Sequence, residues 1–290
     1  MKGRLQQRKF PLLTLQLTSS CGVGDFSRCI IMVHTIIFLF LFGMLHSFHR
    51  LFFIITVALP LQLIQSCESR EVVSVTRAGE LEKLIRDGDL STHARLSELN
   101  RQPHLYAIGN ATNNEGFITV IDGKCYASSV DTMRTMTIDS SCNTEATLLL
   151  YSTVSKWKSF DIPAEVTTLK QLEQFISNIT TKYNVSRTSV FCFRLVGTAA
   201  NINWHVLKWR PNIREITYKK MHTLGITGNL SDEQVDVVGF FSKDAKEIFV
   251  HQETVLNMHF VNHDHSLAAR IEDIRLDGRM KLLLPEAAPE

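Results

Sequence analysis

Leu256 to Ile274 reads LNMHFVNHDHSLAARIEDI, and this stretch organises the reading of the rest of the chain. Thr254 to Val261 is a strand, Asn262 to Ser266 is a polar turn, and Ala268 to Ile274 returns as the partner strand. Asn257 and His259 are two apart, so their side chains leave the same face of the first strand. A hairpin offering side chains i and i+2 from one strand and a third from its neighbour is a common frame for a three-ligand metal site. Asn257 and His259 are the two side chains that the first strand would offer to such a site.

Working outward, further strands are read at Leu105 to Ile108, Gly116 to Tyr126, Ala146 to Val154, Val190 to Val196, Gln234 to Phe241, 247–251 and Met280 to Leu284. Asp122-Gly123 between apolar runs signals a two-residue hairpin. Two helices are expected. Arg77 to Asp87 carries Leu81, Leu84 and Ile85 at helical spacing and stops at Gly88, while Thr168 to Tyr183 sets Leu169, Leu172, Phe175, Ile176 and Ile179 on one face. Helices fall mainly in the first half and strands in the second, which predicts an α+β fold with antiparallel or mixed sheets rather than a βαβ winding.

The chain has 290 residues and a net charge of +2, so no basic field points to nucleic acid. It carries no Gly-rich phosphate loop, CxxC pair or HExxH motif. Its N-terminus differs from the rest. Ile30 to Gly43 and Leu51 to Ile64 are apolar blocks of about 14 residues each, short of the ~20 that a bilayer-spanning helix needs. From Met44, the run MLHSFHR, an apolar core and the small polar residues at Ser66 and Cys67 make a complete signal peptide. Residues 1–43 then form an upstream extension, 44–67 the signal peptide, and 70–286 a secreted or lumenal domain. The rival reading is a membrane anchor over Ile30 to Phe48, with Lys2, Arg4, Arg8 and Lys9 on the cytoplasmic side. Sequons at Asn110, Asn178, Asn184 and Asn229 favour lumenal exposure and a glycoprotein. In an oxidising compartment Cys125 and Cys142 are placed to close a short loop, with Cys192 left over.

The hairpin resembles that of the acetolactate decarboxylase family, whose His-x-His-Phe pair, acidic turn and Gly-Gly-His return strand hold zinc. Here Asn257 takes the first histidine position, His259 the second, followed by the expected Phe260, and Arg270 the third, after Ala268-Ala269 in place of the glycines. Val238-Gly239-Phe240, Leu84 to Asp89 and Gly116 to Tyr126 resemble further family segments in the same order. The family's metal-site glutamate falls on Phe117, with Glu115 two residues away. The family's active-site arginine falls on Arg194, and a C-terminal glutamate on Glu286. The resemblance, covering about residues 78 to 286, implies two layered subdomains, the second a small barrel-like sheet. It also implies zinc, a homodimer, and a lyase that releases carbon dioxide from 2-acetolactate to give acetoin.

Chemistry runs against that activity. The enediolate left by decarboxylation needs a Lewis acid that holds two substrate oxygens. One imidazole is not a catalytic zinc site, asparagine is a poor ligand, and arginine stays protonated and repels a cation. His263 and His265 in the turn are the residues that would rebuild a site with His259. Arg194, in an apolar strand, needs a partner such as Glu115, or joins Arg270 in a clamp for a carboxylate or phosphate. Trp204, His205 and Trp209 are read as packing aromatics. The sequence therefore leaves two functions open: a lyase, or a non-catalytic secreted protein that binds an anionic small molecule in the old pocket.

Overall fold

The Asp122-Gly123 turn forms as its composition demands. Both residues take left-handed backbone angles (φ 49° and 77°), the primed turn whose twist matches antiparallel strands. It joins β4 (Phe117–Ile121) to β5 (Lys124–Val130), with Val120 opposite Cys125. The computed structural model describes residues 74–183, 190–209, 217, 220, 223–242 and 254–286, all within the unit Ser69–Glu290. The expectations for residues 1–43 and 44–67, the strand 247–251 and the sequon at Asn184 lie outside them.

The first sheet adds β1 (Thr76–Ala78), β2 (Ala94–Arg95), β3 (Leu105–Ala111), β6 (Met136–Asp139) and β7 (Glu145–Thr153). Its order is β1-β7-β3-β4-β5-β6, with β2 also against β7. The second sheet holds β8 (Trp157–Asp161), β9 (Val190–Val206), β10 (Ile226–Ser242), β11 (Leu256–Asn262), β12 (Ala268–Arg275) and β13 (Met280–Pro285). Its order is β10-β11-β12-β9-β13-β8, and β10 also pairs with β9, so β9, β10, β11 and β12 close into a ring. All these pairings are antiparallel, in agreement with the expected α+β class with antiparallel sheets.

β9 and β10 run longer than the sequence reading allows. They stay in register from Phe191 opposite Phe241 to Val206 opposite Ile226. The added halves are polar on their outer face, which hid them. There Asn229 donates to Asn201 at 2.9 Å and Asn203 at 2.7 Å, a side-chain ladder where an apolar alternation was sought. Strands also fill the first half of the domain, contrary to the expected helical bias.

Three α-helices lie among the described residues: α1 (Leu81–Asp87), α2 (Leu96–Leu99) and α3 (Leu169–Tyr183). α1 starts later than expected because Thr76–Ala78 is β1, and it ends on Gly88 in the left-handed conformation (φ 69°). α3 opens with a reciprocal cap in which Gln171 accepts from the Thr168 amide at 3.1 Å while the Thr168 hydroxyl accepts from the Gln171 amide at 3.3 Å. Its Leu172 and Ile176 are fully buried among Phe193, Leu195, Phe260 and Leu282 inside the ring. Each contributes roughly 1.5–3 kcal/mol of burial. A second core, with Ile108, Leu150, Val238 and Phe240, joins the outer face of the ring to the first sheet. A third lies on the far face of the first sheet and contains the bonded pair Cys125–Cys142, with Cα atoms 5.3 Å apart.

Two sequons are changed by this packing. Asn110 lies in β3, 8% exposed, and donates to Asn114 at 2.9 Å, so its amide is not available to a glycan in the folded chain. Asn229 is exposed, but its amide is engaged in the ladder. Asn178 is exposed on α3.

Candidate functional site

Residues directly opposite each other in antiparallel strands share a face, and one row crosses the ring. Arg194 on β9 faces Val238 on β10, which faces His259 on β11, which faces Arg270 on β12, which faces His205 back on β9. The row is turned toward the first sheet. His259 is 2% exposed and buries its Nδ1 against that sheet, 3.0 Å from the Ile118 carbonyl and 3.1 Å from the Thr119 hydroxyl. A carbonyl only accepts, so Nδ1 carries the proton and Nε2 the lone pair. Burial, reinforced by the charge of Arg270, pushes the His259 pKa down to about 3. The ring is neutral throughout the physiological range.

Beside it stands an apolar ring. Phe117 on β4, 2% exposed, presents its edge to both His259 and His205, with centroids 5.1 Å and 5.6 Å away. His205, 3% exposed, donates from Nε2 to the Leu224 carbonyl at 2.7 Å. Its Nδ1 lies 3.6 Å from Glu272 Oε1, and Arg270 Nε lies 3.7 Å from the same oxygen. Glu272 reaches both because β12 slips register there, between Ile271 and Asp273. A bulge of this kind re-aims one side chain. Sequence reading missed Glu272 and took His205 for a packing aromatic. The alternation of Arg270 and Glu272 on one strand was the available signal.

The other expected site residues scatter. Asn257 lines a separate cavity of about 40 Å³ with Arg77, Gly79, Ile108 and Asn110. Arg194 is held not by Glu115, which is exposed, but by Asp236, Nε to Oδ1 at 3.2 Å and Nη2 to Oδ2 at 2.5 Å. Burial lowers its pKa, the Asp236 bonds more than compensate, and the net shift is upward. Its guanidinium also lies 5.5 Å and 5.7 Å from the rings of Tyr106 and Trp157. No clamp of Arg194 with Arg270 forms. Each arginine faces its own carboxylate, Arg194 that of Asp236 and Arg270 that of Glu272. Glu286 is exposed at the end of β13, its amide bonded to the Lys156 carbonyl, and does not reach His259 or Arg270. His263 and His265 sit exposed on the β11–β12 turn, while His259 is buried facing β4, so the three do not assemble.

The turn histidines line something else. A cleft of about 380 Å³ opens where the β4–β5 hairpin meets the ring. Ile121, Lys124 and Tyr126 form one wall, and Arg194, Asp236 and Val261 the other. His263 and His265 stand at its lip.

No family model and no curated protein matches the sequence. Solved structures do. α-Acetolactate decarboxylase from Bacillus subtilis strain 168 superposes with a TM-score of 0.57 at 14% identity, covering 73% of this chain and 85% of that one. Acetolactate decarboxylase from Bacillus subtilis subspecies spizizenii gives 0.59 at 16% identity, over 73% and 86%. A Staphylococcus aureus protein of unknown function, similar to α-acetolactate decarboxylase, gives 0.56 at 15%, over 73% and 85%. The fold is that of the acetolactate decarboxylases. At these identities the likeness is one of fold alone.

Zinc, which the resemblance to acetolactate decarboxylases implies, does not fit the donors present. His259 offers one nitrogen, its row neighbour is the fixed cation Arg270, and a phenyl ring stands where the resemblance puts a carboxylate. Among the described residues no group of three His, Cys, Asp or Glu is placed to hold a metal.

Proposed function

We propose that this chain uses the acetolactate decarboxylase fold without the metal-dependent decarboxylation, as a secreted, non-catalytic binding protein. The observation that carries this reading is the packing of Phe117 between His259 and His205, 5.1 Å and 5.6 Å from their rings. A divalent ion at Nε2 of His259 would meet an apolar ring and the Arg270 guanidinium in place of two anionic or neutral donors. Coulomb repulsion between that ion and Arg270 is unfavourable in a site shielded from water. The Arg270–Glu272–His205 network then serves as internal charge pairing between two strands of the ring. The apolar block Leu51 to Ile64 and the Cys125–Cys142 bond favour the secretory route.

Metal analysis of the purified protein tests this. We expect zinc well below one per chain and no acetoin colour with 2-acetolactate. One zinc per chain, lost on His259→Ala and accompanied by acetoin release, would restore the lyase reading. The converse design is informative too. Combining Phe117→Glu with Arg270→His supplies two donors beside His259, and this variant is expected to take up zinc where the parent does not.

A further inference from the structure

We infer that the cleft between the β4–β5 hairpin and the β11–β12 turn binds an uncharged, polyhydroxylated small molecule the size of one sugar ring. This inference deepens the binding-protein reading above and rests on it, and it replaces the anion expected from the sequence by a neutral ligand. The charges of the cleft come first. Asp122 and Asp236 stand against Lys124 and Arg194, two of each sign. Arg194 is bonded to Asp236 through Nε and Nη2, and Asp122 to His104 at 2.9 Å. Asp264, on the adjoining turn, is taken up by the Ser266 amide and hydroxyl at 3.1 Å and 2.7 Å. An ionic ligand of either sign finds no unmatched charge here, and its removal from water would go uncompensated.

Hydrogen-bonding groups are what the cleft leaves over. Tyr126 is 6% exposed and lines the cleft, yet among the described residues no protein group bonds its hydroxyl. A buried hydroxyl normally has a partner. This one is not sealed in the interior, so its partner comes from the cleft side. Burial, with the charge of Asp236, raises its pKa, so it stays protonated and both donates and accepts. The Gln234 amide, exposed on the other wall, is likewise unbonded and carries donors and an acceptor. A hydroxyl answers both groups, because it too donates and accepts. Ile121, Val235 and Val261, 8%, 4% and 3% exposed, give the cleft an apolar floor. A sugar ring matches this pattern, with C–H groups on its face and hydroxyls around its edge. About 380 Å³ lies at the lower end of the size range for small-molecule pockets, which suits a single ring. The lip is also fixed before a ligand arrives. The His263 amide donates to the Gln234 carbonyl at 3.0 Å, and the His265 ring packs edge-on to Tyr126 at 5.3 Å.

The test titrates the methyl glycosides of glucose, galactose and mannose at neutral pH into protein purified after expression of the full chain, read by calorimetry and saturation-transfer NMR. At least one is expected to bind saturably in the millimolar range. Its uronate and its 2-amino counterpart should each bind about five-fold more weakly, because their charges find no free opposite in the cleft. Tyr126→Phe keeps the ring and its packing, so it should leave the thermal midpoint unchanged. It should weaken the sugar by about five-fold, as the loss of one neutral hydrogen bond does. Gln234→Ala, at an exposed position, should weaken it similarly. Saturable binding by none of the three glycosides, equal or tighter binding of the uronate or the amino sugar, or unchanged affinity in Tyr126→Phe would each overturn the site. Metal content and acetoin release report separately on the non-catalytic reading, so the two can fail independently.

Discussion

His259 shows how much one side chain's surroundings decide. In sequence it occupies a ligand position of the family that the hairpin resembles, in a strand that would equally bury it as a hydrogen-bonded histidine. In the fold its Nδ1–H serves the Ile118 carbonyl, and its ring is desolvated enough to hold its pKa near 3. An unfolded histidine titrates near ~6.5, so acid protonates the unfolded chain first. The stabilising effect of the neutral ring is complete above that value and is lost as the pH falls from it toward the folded pKa. At pH 5 this amounts to about 2 kcal/mol. Urea unfolding at pH 7.5 and pH 5 should show this loss, and His259→Gln, whatever its absolute stability, should flatten it. Phe117 supports the same region by volume. Phe117→Ala opens a cavity beside two buried imidazoles and should cost about 3–5 kcal/mol in the same measurement, a loss that a merely surface ring would not produce.

Elements are set by local chemistry where the local signal is strong. The Asp122-Gly123 turn and the apolar face of α3 were legible in the sequence because each depends on residues within a few positions of one another, and the Gln171–Thr168 cap found in the fold is equally local. Gln171→Ala should therefore lower the thermal midpoint by an amount equivalent to about 1 kcal/mol, as lost helix caps do. Sheet contacts behave differently. Gly109 on β3 lies so close to β7 that a Cβ there would come within 2.0 Å of the Leu148 carbonyl. Gly109→Ala is expected to prevent the β3–β7 pairing, seen as aggregation or loss of near-ultraviolet dichroism, whereas the same substitution at Gly123, whose Cβ would meet open space, should leave a folded protein. The extended halves of β9 and β10 were not legible. Their outer faces carry Asn201, Asn203 and Asn229 (residues that read as loop), and only long-range pairing makes them strand.

At the scale of the whole molecule, covalent and compartmental features act together. The Cys125–Cys142 bond spans 17 positions, and reduction should lower unfolding free energy by about 3 kcal/mol if the constraint acts on the unfolded chain. Denaturant curves with and without reductant measure this. Peptide mapping of secreted protein should find glycan on Asn178 and none on Asn110, whose amide is enclosed in the sheet. Mass spectrometry of the native N-terminus should place it near Ser66 to Ser69 if residues 44–67 are a signal peptide.

Patterns of neighbouring residues were enough to determine the strands of the β11–β12 hairpin, the C-terminal end of α1, the span of α3 and the Asp-Gly turn. Such information is local, and backbone propensity and side-chain type carry it. The partner of Arg194, the burial of Asn110, the Arg270–Glu272–His205 network and the cleft under the turn histidines were decided by closure of the ring and by its packing on the first sheet. Those contacts join residues up to 141 positions apart, as Ile118 and His259 are, and no local pattern encodes which of several available carboxylates or rings will meet across such a distance.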